Sequence, residues 1–167
     1  PRGHSIECRV YAENPYMGGV PSTGLLGKVS WPEGPRRRYE FGFDAGDTIT
    51  AFYDPMIAKV IVWDENRSRA IEKMIHVLKD AVVFGVHTNI PYLIEILSHE
   101  EFVNGTMTTR FIENNFAEGL KSRHNEENRK KLSREIYKDL IVQKSGMNPV
   151  AGHAAVNSPW LTYWRNV

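Results

Sequence analysis

The sequence holds a single cysteine. Cys8 has no second thiol to pair with, which excludes an intrachain disulfide and any cysteine-rich zinc cluster, and this usage suits a reducing compartment. Long apolar runs are missing too. No stretch approaches the roughly 20 residues that a membrane-spanning helix needs, so no membrane role is expected. Charge of one sign is also not in excess: 21 Lys and Arg stand against 20 Asp and Glu, a formal net charge of +1. That balance gives no general attraction to nucleic acid or to an acidic membrane, and any useful electrostatics must be local. The six histidines (His4, His76, His87, His99, His124 and His153) are too dispersed for a metal motif, and no H-E-x-x-H is present. No metal site is therefore expected. The glycines between Tyr16 and Gly27 match neither phosphate-loop pattern in a strand-to-helix context and read as a surface loop, and no G-x-S-x-G elbow occurs. An initiator methionine is absent, and Pro1-Arg2-Gly3-His4 is neither a signal nor a transit peptide. The sequence reads as a piece cut from something longer.

What is present centres on residues 36–63. After Arg36, Arg37 and Arg38, the alternation of Tyr39, Phe41 and Phe43 predicts a half-buried strand over 37–43. Asp44-Ala45-Gly46-Asp47 and Asp54-Pro55 supply turns. The nearly continuous apolar run Met56 to Trp63, interrupted by Lys59, predicts a strand buried on both faces. Upstream, Ile6, Cys8, Val10 and Ala12 alternate with polar neighbours and predict a strand over 5–12, with a shorter one over 28–31. Downstream, Ala70, Ile71, Met74, Ile75, Leu78, Ala81 and Val82 recur at helical spacing and predict a helix over 67–80. Val82 to Val86 reads as a short strand. Thr88 is a candidate cap for a helix over 89–97, 98–105 a connector, and 109–116 a third helix. The expected architecture is α+β: one antiparallel sheet of 5–12, 28–31, 37–43 and 56–63 packed against these helices. With 41% hydrophobic residues the chain can bury one core, perhaps with an appendage.

Two readings of the arginines stay open at this level. They are a solvated charge run on an edge strand, where cations discourage sheet-to-sheet pairing. Alternatively, Arg38, pointing opposite to Arg37, enters a cleft where its forked guanidinium holds bicarbonate, a carboxylate or an enolate oxygen. Lys59 reads as a snorkelling or paired residue, and Asp44, Asp47 and Asp54 as turn residues. A nucleic-acid surface would need stacking aromatics beside a broad basic groove and is not expected.

GHSIECRVYAENP (3–15), PSTG (21–24), RYEFGFDAGDTITAFYDPMIAKVIVWDENRSRAI (38–71) and GVHTNIPYLIEIL (85–97) resemble the C-terminal domain of biotin carboxylase. That enzyme is the ATP-dependent ligase component of acyl-CoA and pyruvate carboxylases. The resemblance covers about residues 1–120. It implies a biotin carboxylase C-terminal domain over 1–120, a partly helical linker over 121–157, and the start of a connecting domain over 158–167. The aromatic tail is similar to that of acyl-CoA carboxylase α subunits of the propionyl- or methylcrotonyl-CoA type, which links the chain to fatty acid metabolism. Within this family, Arg38 matches a catalytic arginine that contacts the biotin ureido group or bicarbonate and stabilises the biotin enolate. Arg37 stands where the family usually has valine. Implied cofactors are biotin on a carrier domain, with ATP and Mg2+ or Mn2+ bound mainly outside this chain. Implied partners are the biotin carboxyl carrier domain, the ATP-grasp domain of the same enzyme and a carboxyltransferase subunit, with homo-oligomerisation left open. The location implied is cytoplasmic in a bacterium or the mitochondrial matrix in a eukaryote. The ATP-grasp segments are not in the sequence, so the fragment alone is expected to be inactive. The alternative function is a non-catalytic interaction or dimerisation module.

Overall fold

The computed structural model describes residues 2–117 and Leu120. The expected linker over 121–157 and the start of a further domain over 158–167 lie outside the described residues. In chain order the elements are β1 (His4–Tyr11), β2 (Glu13–Asn14), a 3-10 turn (Pro15–Met17), β3 (Val20–Pro21), β4 (Gly24–Leu25), β5 (Lys28–Ser30), β6 (Arg37–Phe41), β7 (Thr48–Ile49), β8 (Met56–Asp64), α1 (Arg67–Asp80), β9 (Val82–Phe84), α2 (Ile90–Ser98), α3 (Glu100–Asn104) and α4 (Phe111–Phe116). The expected α+β class holds.

A three-stranded antiparallel sheet in the order β1-β8-β6 positions everything else. Directly paired residues of an antiparallel ladder share a face. Ile6↔Val62, Cys8↔Val60 and Val10↔Ala58 therefore form one apolar face, and all six are buried. Helix α1 lies against it with Ala70, Ile71, Met74, Val77 and Leu78, each buried in the same cluster. Burying a side chain of this size stabilises the fold by about 1.5–3 kcal/mol. The helix starts where Asn66, in extended conformation, accepts from the Arg69 backbone N–H at 3.0 Å. It stops at Asp80 because Ala81 returns to extended geometry and leads into β9.

Four expectations need correction. The run 56–63 is not buried on both faces: Ile57, Ala58, Val60 and Val62 are buried, whereas Lys59, Ile61 and Trp63 are only half-buried. The second face of the sheet is open to solvent at Glu7 and Arg9. The strand 28–31 does not join the main sheet. β5 pairs instead with β9 through Lys28↔Phe84, Val29↔Val83 and Ser30↔Val82. Gly85 makes this approach feasible, since at φ +115 it adopts a left-handed geometry and any Cβ would fall on the Leu25 carbonyl oxygen. Finally, Thr88 is not the cap of α2. Asn89 takes the cap position, and its side chain is turned to β1 instead: Tyr11 N donates to Asn89 Oδ1 at 2.9 Å, and Asn89 Nδ2 donates to Arg9 O at 3.2 Å. The expected connector 98–105 contains α3, capped by the His99 ring, whose Nδ1 accepts from Glu101 N at 3.3 Å.

Candidate active site

Three consecutive arginines meet three different environments. Arg36 has φ 63, unusual for a residue with a Cβ. This conformation goes with a guanidinium 4.7 Å over the Trp63 ring, 3.1 Å from Asp64 and 3.7 Å from Glu65. Arg37 faces the other side of its strand. Its Nη1 donates to the carbonyls of Pro32 at 3.2 Å and Glu33 at 2.9 Å, so the cation ties down the turn before β6. Gly34 lies close beneath it, where a Cβ would come 3.1 Å from the Arg37 guanidinium carbon. Arg38 pairs in register with Ile61 and projects from the open face, its side chain 69% exposed. Among the described residues its one ionic contact is Glu40, with Nη2 and Oε1 3.2 Å apart.

That open face is built by register. Arg9 and Glu40 flank Lys59 on either side of β8, and Glu7 and Arg38 flank Ile61. Lys59 Nζ donates to Glu40 Oε2 at 3.2 Å, and Arg9 lies 3.3 Å from Glu7. The paired reading of Lys59 is the one observed. Three cations and two carboxylates thus share the face, a local positive excess on a chain whose total charge is nearly balanced. Such a face suits an anionic or oxygen-rich ligand. The aromatic alternation of β6 lies on the side of Arg37: Tyr39 stacks on Phe41 (5.9 Å), Trp31 lies tilted against both (5.7 and 6.2 Å), and the Tyr39 hydroxyl donates to Pro32 O at 2.5 Å. Burial raises the Tyr39 pKa, so the phenol remains a neutral donor.

Other candidates fall away. Asp47 accepts from the Asp44 backbone N–H at 2.7 Å and Asp54 from that of Met56 at 3.1 Å, so both shape turns. Cys8 is buried, and its thiol pKa is pushed up to about 12, chiefly by burial and further by the nearby Glu7 carboxylate. A thiol so disposed is a poor nucleophile. No group of three or more His, Cys, Asp or Glu that could hold a metal ion occurs among the described residues. None of their helices is long and apolar enough to cross a membrane. On the α1 side a shallow depression of about 430 Å³ is lined by Arg37, Asp64, Lys73, His76 and others. Both charge signs meet in it, so it favours no ligand class. The residue that sequence reasoning passed over is Glu40. Its position two residues after Arg38 on one strand puts it on the same face, and this spacing was the available signal.

Residues 7–114 match the family described as the biotin carboxylase C-terminal domain. The chain is 45% identical over 112 residues to the mitochondrial methylcrotonoyl-CoA carboxylase subunit alpha of Arabidopsis thaliana, covering 66% of this chain and 15% of that protein. It is 41% identical over 113 residues to the biotin carboxylase of Halalkalibacterium halodurans, covering 68% and 25%. Among solved structures it resembles the biotin carboxylase domain dimer of Hydrogenobacter thermophilus 2-oxoglutarate carboxylase, determined with MgADP, ADP and bicarbonate. The TM-score is 0.65 at 40% identity, over 68% of this chain and 25% of that one. The chain thus spans only 15% to 25% of the length of these relatives. Running from inside β1 to inside α4, the match takes in the core of the described fold, and the chain belongs to the biotin carboxylase C-terminal domain family.

Proposed function

We propose that this chain contributes the arginine-bearing face of a biotin carboxylase, acting in the ATP- and bicarbonate-dependent carboxylation of carrier-bound biotin, with Arg38 as its catalytic residue. The observation that supports this best is the separation of the three arginines. Arg36 and Arg37 are committed to Asp64, Trp63 and the Pro32–Glu33 carbonyls, whereas Arg38 stands on the open face, held at one nitrogen only. Biotin supplies a ureido nitrogen that becomes nucleophilic as negative charge gathers on the ureido oxygen. Arg38 fits that oxygen chemically. Its guanidinium is planar and permanently charged, and the donors not facing Glu40 remain free to meet a flat polar group or bicarbonate. A fixed cation where charge develops acts in the transition state more than in the ground state.

The remaining parts of the reaction are assigned elsewhere. ATP and Mg2+ or Mn2+ belong to the ATP-grasp domain of the same enzyme. A biotin carboxyl carrier domain delivers the biotin and a carboxyltransferase subunit receives the carboxyl group. Methylcrotonoyl- and propionyl-CoA carboxylase α chains among the relatives favour an acyl-CoA carboxylase α subunit. In a full-length enzyme carrying this domain, Arg38→Ala should lower turnover in biotin carboxylation by roughly 10²–10³-fold. Arg38→Lys should recover only part, because an ammonium cannot reproduce the fork. Unchanged turnover in Arg38→Ala would reject the catalytic reading and leave a docking module.

A further inference from the structure

Glu40 has no part in the chemistry described so far, yet it touches the residue that does. We infer that Glu40 is a positioning residue that, braced from across the sheet by Lys59, fixes the direction of the Arg38 guanidinium. This rests on the catalytic reading of Arg38.

The two oxygens of Glu40 are divided between two cations. Oε1 lies 3.2 Å from Arg38 Nη2, and Oε2 accepts from Lys59 Nζ at 3.2 Å. Lys59 is the direct register partner of Glu40 on β8, and Arg38 precedes Glu40 by two residues on β6, on the same face. The carboxylate is therefore anchored by a neighbour across the ladder and in turn anchors a neighbour along the strand. Lys59 has a reason to lean this way. Its other register partner is Arg9, and like charges directly opposite repel. Arg9 itself turns to Glu7 at 3.3 Å, which leaves Lys59 to Glu40.

Exposed ion pairs add little to folding stability, so the consequence lies in orientation. A free arginine side chain samples many rotamers, and each wrong one takes the guanidinium away from where charge develops. One contact at Nη2 removes much of that freedom while leaving the other donors available. Lys59 has a second effect: it offsets the charge of Glu40, so the carboxylate orients Arg38 without cancelling its field.

The test uses a full-length biotin carboxylase carrying this domain and four variants: Arg38→Ala, Glu40→Gln, the double variant, and Lys59→Met. For each, kcat and KM are measured with a biotinylated carrier, together with the KM for MgATP and the melting temperature. Misplacing a catalytic group by about 1 Å costs up to about 10²-fold. Glu40→Gln should accordingly lower kcat with the carrier by about 10-fold or more, with the KM for MgATP and the melting temperature unchanged. Lys59→Met should lower kcat in the same direction by a smaller factor. The double variant should be no slower than Arg38→Ala alone, since without a guanidinium Glu40 has nothing to aim. A wild-type kcat in Glu40→Gln, additive losses in the double variant, or a fall in melting temperature that accounts for the loss would each overturn the inference. If Arg38→Ala is slow while Glu40→Gln is normal, only the positioning role fails. If Arg38→Ala itself is normal, the catalytic reading fails with it.

Discussion

Asp64 closes the central strand and collects charges from two directions. Lys73 Nζ lies 2.6 Å from one carboxylate oxygen, Arg36 lies 3.1 Å from the other, and the Glu65 backbone N–H donates to it at 2.8 Å. The Lys73 hydrogen bond, followed by the Glu65 backbone bond, holds its pKa below the usual carboxylate range. A carboxylate more acidic in the folded chain than in the unfolded one stabilises the fold above its unfolded pKa. That contribution is lost as pH falls through the folded value. Asp64→Asn should therefore lower the melting temperature at neutral pH, and the gap from wild type should begin to close below about pH 4 and vanish in stronger acid. A gap that stays constant from pH 7 to strong acid would show that the mutation acts through packing rather than charge. Arg36 takes its left-handed φ at this same junction. The cost of about 1–2 kcal/mol for such a conformation is set against its stacking on Trp63 and its pairing with Asp64.

At the scale of elements, α1 and the buried face of the sheet supply most of the described core. Met74 is fully buried between them. Met74→Ala should destabilise the chain by about 2–5 kcal/mol, read as a lower urea midpoint with an unchanged slope. A loss well below that range would mean the core collapses around the cavity. Helix α1 was legible because five apolar positions at helical spacing, Ala70, Ile71, Met74, Ile75 and Leu78, follow a capping asparagine, although the same pattern runs on through Ala81 and Val82, which lie past its end. The strands were legible as strands, but not in their pairing. Alternation says which side chains share a face and is silent on which strand lies alongside, so β5 could not be seen to leave the main sheet for β9. The run 56–63 misled for a related reason. Ile61 and Trp63 are apolar, yet they sit on the face that also carries Lys59, Arg38 and Glu40. The opposite directions of Arg37 and Arg38 could be read from period two alone. The Pro32 and Glu33 carbonyls that hold Arg37 could not, because they depend on how the turn folds back.

At the scale of the whole molecule, the chain covers only a quarter of the length of the bacterial biotin carboxylase it matches. On the proposed function, nucleotide binding resides in the remaining three quarters. Calorimetry of the 167-residue chain with MgATP should show no micromolar isotherm, and a saturable one would move nucleotide binding into this domain. On the proposed function, one arginine of three serves the biotin step. In the full-length enzyme, Arg36→Ala, Arg37→Ala and Arg38→Ala are to be compared by the ratio of biotin-dependent to bicarbonate-dependent ATP turnover. That ratio cancels losses due to folding or nucleotide binding. It should fall steeply for Arg38→Ala and stay near wild type for the other two. An equal, small fall in all three would mean that Arg38 is one more charge on a solvated strand.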